Sequence, residues 1–321
     1  MKPVIVHPQA RHPLLWILFF EFGIRRALKK ENIDIFLSPD GWLCLGTNVK
    51  TINIIHDLNF EHFPMATSWS NRVYYRYFFR KFAHRANLLG TVSNFSKQDI
   101  INTYNIDSNK IFICPNAAAE DFFEISEREK ILCRQIYSGN MPYFVFVGTA
   151  NRRKNVINIL LAYEQFRKKG YYTKLVFAGM QKYWDSEMQK TLESLTFAKD
   201  VIFTGYVSTE EMNKIISSAI ALLYTSLFEG FGIPILEAFA CATPVITSNT
   251  SSMPEIAADA AIKVNPTDIN DICNAMVNIL EDNQLRKYLI LKGKERLKDF
   301  SWDRSAEILW EQLISLNKND N

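Results

Sequence analysis

Residues 226–238 read S-L-F-E-G-F-G-I-P-I-L-E-A and directly follow the apolar run A-L-L-Y-T that ends at Thr225. A buried strand, a loop with two glycines and a proline suited to a helix's first turn make one strand-loop-helix unit, the repeating piece of a parallel sheet. In such a unit the glycines let backbone approach a ligand closely. The helix start adds N–H groups at the positive end of its dipole, a ready site for a diphosphate. Glu229 stands in the loop and Glu237 is expected in the helix's first turn, so both can face one cleft. A carboxylate accepts hydrogen bonds from two neighbouring hydroxyls, which suits the vicinal diol of a ribose or a hexose. Singly, Glu237 would read as an acid that complements the dipole and Glu229 as a solvated loop charge. The joint pattern with Gly230, Gly232 and Pro234 is what points to a ligand.

Working outward, short runs rich in Val, Ile and Phe alternate with longer amphipathic stretches along almost the whole chain, the pattern of parallel strands joined by helical crossovers. The class is α/β. Strands are expected at residues 3–7, 33–38, 52–56, 88–92 and 111–115 in the first part, and at 144–148, 175–179, 201–205, 219–225, 244–247 and 261–264 in the second. Between the two series lies a charged stretch, residues 120–140, closing on the turn formers Ser138, Gly139, Asn140 and then Pro142. It sets the expected division: residues 1–138, residues 139–300, and a C-terminal helix and polar tail over 301–321, with Ser301 as N-cap and the helix packing back on the first domain.

A second constellation follows the strand 144–148, where T-A-N-R-R-K-N (149–155) leads into a helix. Cations at a helix start oppose its dipole, so an anion there is the simplest account of them. Arg153 can bond two phosphate oxygens and Lys154 adds a point charge. An exposed basic turn is the plainer alternative, and the neighbouring glutamate motif weighs against it.

Composition narrows the classes. The chain has 321 residues, enough for two cores, with 48% hydrophobic and 22% charged residues, which excludes a disordered or collagen-like chain. A net charge of +3 is too small for the basic stripe of a nucleic-acid binder, so no nucleic-acid partner is expected. Five widely spaced cysteines without a CxxC pair read as buried thiols of a cytoplasmic protein, with no metal site. No cleavable signal is read, and the longest apolar run, Leu14 to Phe20, is far short of a bilayer span. With Arg25, Arg26, Lys29 and Lys30 after it, that run reads first as a core-facing helix and second as a peripheral membrane contact.

Glu229 to Glu237 resembles the E-x7-E motif of the retaining family 4 glycosyltransferases, and G-T-A-N-R-R-K-N (148–155) resembles that family's phosphate-binding turn. The similarity runs from about Asp34 to Trp302 and includes I-I-H-D-L (54–58), T-V-S-N-F-S (91–96), V-I-F-T-G (201–205), T-P-V-I-T-S (243–248), S-S-M-P-E (251–255) and F-S-W (300–302). It looks closest to mannosyltransferase-like members that build surface polysaccharides such as lipopolysaccharide. The resemblance implies the GT-B fold, two Rossmann-like domains with the donor cleft between them, and a metal-independent hexosyltransferase without a separate cofactor. By that resemblance Glu237 holds the donor's ribose and Glu229 the transferred sugar. The backbone of Gly230, Phe231, Gly232 and Ile233 approaches sugar and phosphate, while Arg153 and Lys154 neutralise the leaving diphosphate. His56 would lie near the reacting sugar, although from the residues alone it also reads as a strand-end or core histidine. The base would rest near Tyr206 and Val207. GDP-mannose is the first donor implied and UDP-hexoses the second, with a saccharide or lipid-linked acceptor at the inner membrane face.

The chain departs from the family pattern at its start. M-K-P-V-I-V-H-P-Q-A looks like a second or third element, so about one strand-helix unit is expected to be absent, and Ala117 follows Asn116 where relatives often place glycine. A nucleotide-sugar-binding subunit that needs a partner for catalysis is therefore the alternative to an active enzyme.

Overall fold

Short runs rich in Val, Ile, Leu and Phe form the strands, and they pair in parallel in two sheets. The computed structural model describes residues 2–64 and 68–318. Met1 and residues 319–321, the ends of the expected first domain and of the expected tail, lie outside them. By internal contacts the chain divides into two units, residues 1–115 with 302–321, and residues 116–301.

The first unit holds β1 (Ile35–Ser38), β2 (Lys50–Ile54), β3 (Leu88–Thr91) and β4 (Ile111–Ile113), hydrogen-bonded in that order. One core cluster packs against it, centred on Phe60, Tyr74, Phe79, Phe82, Leu89, Ile100 and Tyr104. The helix Trp69–Arg85 gives Tyr74, Phe79, Phe82 and Ala83 to the interior. Ahead of it, Pro13–Leu18, a π-helical turn Phe19–Ile24 and Arg25–Lys30 follow without a break and send Trp16 and Ile17 to the same cluster. The expected strand at residues 3–7 is not formed. Pro3 and Pro8 bracket it, Val4 and Ile5 face solvent, and no strand among the described residues lies beside it, so the sheet starts at Ile35. Helix Trp302–Lys318 belongs to this unit: the Cys114 thiol donates to Ser305 O at 3.3 Å and Lys50 Nζ to Leu316 O at 2.7 Å.

The second unit holds β5 (Tyr143–Val147), β6 (Lys174–Ala178), β7 (Val201–Gly205), β8 (Leu222–Tyr224), β9 (Val245–Ser248) and β10 (Ile262–Val264), ordered β10-β9-β8-β5-β6-β7. These are the six strands the sequence pattern placed here, each within a few residues. Phe144, Phe146, Leu175 and Phe177 bury one face of the sheet against Ile159, Leu160, Tyr163 and Phe166 of helix Val156–Lys168. Residues 116–138, expected in the first domain, sit with this unit. The reason is the helix Glu127–Ser138, started by a Ser126/Glu129 capping box and ended by Gly139, whose buried Cys133 meets the Tyr143 hydroxyl at 3.7 Å. All five cysteines are unpaired; four are buried and Cys114 is half-buried.

Candidate functional site

In the second sheet the chain adds β6 and β7 on one side of β5, then returns to add β8, β9 and β10 on its other side. Loops that leave the carboxyl ends of two adjacent strands in opposite directions open a crevice, and the reversal here falls between β5 and β8. The two motifs singled out in the sequence are the loops that leave those two strands, 148–155 after β5 and 225–232 after β8.

The first loop is wound by its asparagines. Asn151 Oδ1 accepts from Lys154 N at 3.0 Å and closes Arg152–Lys154 into a single 3-10 turn. Asn155 then takes a left-handed conformation, φ 61°, which asparagine tolerates better than most residues. Its buried Nδ2 donates to Thr225 O at 3.0 Å and to Pro266 O at 2.6 Å, tying this turn to the ends of β8 and β10. The turn sorts the three cations. Arg152 swings outward to Asp185 at 2.6 Å and Glu187 at 2.8 Å, whereas Arg153 and Lys154 turn inward.

Those two cations meet Glu229. Arg153 Nη1 lies 2.7 Å from Glu229 Oε2 and donates to Phe228 O at 2.6 Å; Lys154 Nζ lies 2.7 Å from Glu229 Oε1. Lys154 Nζ also donates to the Tyr224 hydroxyl at 2.8 Å and stands 4.5 Å from the centre of that ring. Leu227 N donates to Arg153 O at 2.8 Å, so backbone as well as side chains joins the loops. Burial alone would push the Glu229 carboxyl up, but the Lys154 ammonium and the Arg153 guanidinium outweigh it and hold the group at about 2. Tyr224 is wholly buried, and burial, followed by the Glu229 charge, holds its hydroxyl well above the usual phenol range. Two cations share the one Glu229 carboxylate, a setting in which a bound anion can take over part of their pairing.

Glu229 is itself positioned by the segment after β9. Its N–H donates to Ser251 Oγ at 3.2 Å, while Ser252 Oγ donates to Glu229 O at 2.8 Å and to Phe231 O at 3.0 Å. Gly232, at φ 107°, starts the helix Ile233–Ala240, and no side chain caps that end. Pro234 falls in its first turn as expected, but Glu237 does not: the helix begins at Ile233, which puts Glu237 in the second turn and makes dipole complementation a poor account of it. Glu237 is half-buried and makes no ion pair among the described residues. Burial pushes its carboxyl up to about 7, with Lys154 opposing only in part. One acid is thus held ionised and the other lies near its midpoint at neutral pH.

The remaining expected residues are spread more widely. Gly230 and Phe231 are buried in the β8 loop, with the Phe231 ring set edge-on to Phe300 at 5.6 Å. Tyr206 is exposed and Val207 half-buried just past β7, beyond β6 from the two loops. His56 belongs to the first unit, where it is exposed just past β2 with its ring Nε2 2.9 Å from Pro39 O. Asp57 turns to its own backbone, accepting from Asn59 N at 2.9 Å. Among the described residues no three His, Cys, Asp or Glu side chains gather as a metal-ligand cluster. Tyr224, Asn155 and Ser252 are parts of the site that reading the sequence did not single out. Each sits inside or beside a quoted motif, but each acts on residues more than 20 positions away.

Against known families, the profile described as "Glycosyl transferases group 1" matches residues 129–296, and that described as "Glycosyltransferase Family 4" matches residues 2–121. The chain belongs to the group 1 glycosyltransferases. Within this glycosyltransferase group it is 31% identical over 220 residues to the O-antigen chain mannosyltransferase B of Escherichia coli, across 68% of this chain and 58% of that one. It is 30% identical over 269 residues to the O-antigen chain mannosyltransferase RfbU of Salmonella typhimurium, across 83% of this chain and 71% of that one. The chain therefore spans less than two thirds of the first of these relatives. Its structure is similar to that of a sucrose-phosphate synthase from Thermosynechococcus elongatus, with a TM-score of 0.80 at 20% identity, covering 98% of this chain and 82% of that one. That likeness fixes the fold of this glycosyltransferase-family chain as GT-B, with each unit Rossmann-like.

Proposed function

We propose that the protein is a retaining glycosyltransferase that moves a hexose, mannose first among them, from a nucleotide-diphosphate sugar to a saccharide or lipid-linked acceptor in surface-polysaccharide synthesis. One observation carries the reading: Arg153 and Lys154 converge on Glu229 within 2.7 Å at the reversal point of the second sheet. Two mannosyltransferases of O-antigen chains among the relatives support the sugar and the pathway class. GDP-mannose is accordingly the donor to test first and UDP-hexoses next. In this reading Arg153 and Lys154 leave Glu229 in part to bind the diphosphate, and Glu229 turns its oxygens to hydroxyls of the hexose. Glu237 takes the ribose diol, the backbone of residues 230–233 borders sugar and phosphate, and the base lies toward Tyr206 and Val207. His56 borders the reacting sugar. The bond from the sugar's anomeric carbon to the phosphate oxygen breaks as the acceptor oxygen bonds to that carbon on the same face. The acceptor's proton passes to the departing phosphate oxygen, so no enzymic nucleophile is needed. Charge building on that oxygen is met by two side-chain cations already in place.

The test is transfer from, or hydrolysis of, GDP-mannose by the purified chain. Lys154→Ala is expected to lower turnover by at least about 100-fold, as loss of one oriented charge donor commonly does, and Glu229→Ala by a similar factor. Unchanged turnover in both variants would defeat the assignment. Donor binding without turnover in the wild-type chain would defeat independent catalysis while keeping the site. A lipid-linked acceptor would bring the cytoplasmic protein to the inner membrane face.

A further inference from the structure

The two inward cations of the crevice each have two kinds of partner. Glu229 is the first kind: Arg153 and Lys154 share its carboxylate, and it is the group that has to change partners when a diphosphate arrives. The second kind stays where it is. For Arg153 it is a backbone carbonyl, Phe228 O, at 2.6 Å. For Lys154 it is a side chain, the Tyr224 hydroxyl at 2.8 Å, with the ammonium 4.5 Å from the centre of the same ring. A lysine ammonium rides on a flexible aliphatic stem, so what fixes it in place matters more than for a planar guanidinium.

Tyr224 is held as such a fixed point would need to be. It closes β8 after Leu222 and Leu223, so a strand of hydrocarbon side chains brings one hydroxyl to its carboxyl end, where the crevice opens. The strand lies inside the sheet between β5 and β9, and Thr247 Oγ1 of β9 donates to Tyr224 O at 3.0 Å. The ring reaches both loops of the site: Lys154 of the β5 loop, and Gly232 of the β8 loop, where a Cβ would stand 3.4 Å from Tyr224 Cε1. Burying a hydroxyl costs free energy unless it is hydrogen-bonded, and a phenylalanine would fill the same space without that cost. The oxygen rather than the ring volume is therefore the feature to explain. Burial, followed by the Glu229 charge, keeps the phenol protonated, so it meets the ammonium as a neutral acceptor.

We propose that Tyr224 is a positioning residue: its hydroxyl keeps the Lys154 ammonium directed at the diphosphate while the Glu229 carboxylate passes from the cations to the hexose. Tyr224 touches neither sugar nor phosphate in this role and acts through the lysine. It has the role only if the cluster is the diphosphate site just proposed. A loosened ammonium costs most where charge is greatest, on the phosphate oxygen as the bond to the anomeric carbon breaks. It costs less in the bound donor, where that oxygen still carries the sugar. GDP, whose terminal phosphate already bears the added charge, feels the loss without any chemistry.

A double-mutant cycle on the full chain tests it, with steady-state kinetics on GDP-mannose and GDP binding by calorimetry. Tyr224→Phe, which keeps the ring and removes the oxygen, is expected to lower kcat at least about tenfold while KM for the donor rises less than about threefold. In a Lys154→Ala background the same change should alter kcat less than about twofold, because its effect runs through the lysine. Thr247→Val removes a hydrogen bond to the Tyr224 carbonyl and serves as the control for a disturbed strand; its kcat should stay within about twofold of wild type. Unchanged kcat in Tyr224→Phe, losses that simply multiply in the double variant, or an equal loss in Thr247→Val would each overturn the role. Should the wild-type chain bind GDP without turning donor over, independent catalysis fails, and the cycle on GDP affinity decides for Tyr224. There a loss of about fivefold that vanishes without Lys154 keeps the role, and multiplying losses remove it. A chain that binds neither GDP nor UDP would end both the donor site and the role.

Discussion

Glu229 and Glu237 lie eight positions apart in sequence and on two sides of the titration range, and the difference is their neighbours rather than their chemistry. Glu229 gains two cations that overcome its burial, so its folded value is lowered from 4.5 to about 2. The stability it contributes is present above about 4.5 and is lost as pH falls toward 2. Removing it strands Arg153 and Lys154 at 15% and 12% exposure with one counter-charge gone. Glu229→Ala should therefore cost about 3 kcal/mol in urea unfolding at neutral pH, the low end for breaking a buried pair. A loss under about 0.5 kcal/mol would mean the cluster is solvated in practice. Glu237 behaves in the opposite sense. Its folded value is raised from 4.5 to about 7, so the folded chain holds a proton that the unfolded chain has released, and stability falls as pH rises between those values. If Glu237 binds the ribose diol as a carboxylate, donor binding at pH 7 expels about half a proton, the protonated fraction of a group at its midpoint. Calorimetry in buffers of different ionisation enthalpy should detect that release in the wild type and not in Glu237→Gln. Buffer-independent heats in both would remove Glu237 from the donor site.

At the scale of elements, the site is two loops held in register by a third. Asn155 reaches from the β5 loop to the carbonyls after β8 and β10, and it does so from a left-handed backbone. Asn155→Ala leaves two buried carbonyls short of a donor and strains the turn, so a loss of about 2–3 kcal/mol is expected, with donor affinity falling alongside. Gly232→Ala adds a Cβ 3.1 Å from Ile235 Cδ1 at a φ of 107°, and should cost about 1–3 kcal/mol while spoiling the approach of backbone to ligand. Thermal unfolding with and without donor separates the two effects; a Gly232→Ala chain as stable as wild type would show that the loop relaxes freely. The element-level pattern was readable where a strand, glycines and a proline follow one another, because that order is local chemistry. It misled at residues 3–7, where an apolar run looks like a strand but has no neighbour to pair with among the described residues. The Trp69–Arg85 helix gave no such cue, since aromatic residues cover both of its faces and blur the period.

For the whole molecule, the C-terminal helix is the element whose place is least expected from its position in the chain. Trp302–Lys318 follows the second unit directly yet hydrogen-bonds to Cys114 and Lys50 of the first. A chain ended at Ser301 should keep the unfolding transition of residues 116–301 and lose or lower that of the first unit. Two transitions followed by differential scanning calorimetry would check it, and an unaltered pair would mean the helix contributes little to either core.

Sequence alone determined the class of the fold, the six strands of the second sheet, and the presence of two spaced glutamates and a basic turn on the loops that follow two of those strands. Each of these is written in neighbouring residues: a run of β-formers, a glycine where backbone must come close, acids and bases at fixed spacing around a helix start. Tertiary structure decided the rest, because it depends on residues far apart in the chain meeting in space. Only folding brings Tyr224 to Lys154 across 70 positions, sends Arg152 outward while Arg153 turns in, and buries Glu229 beside two cations but Glu237 beside too little charge to hold it ionised.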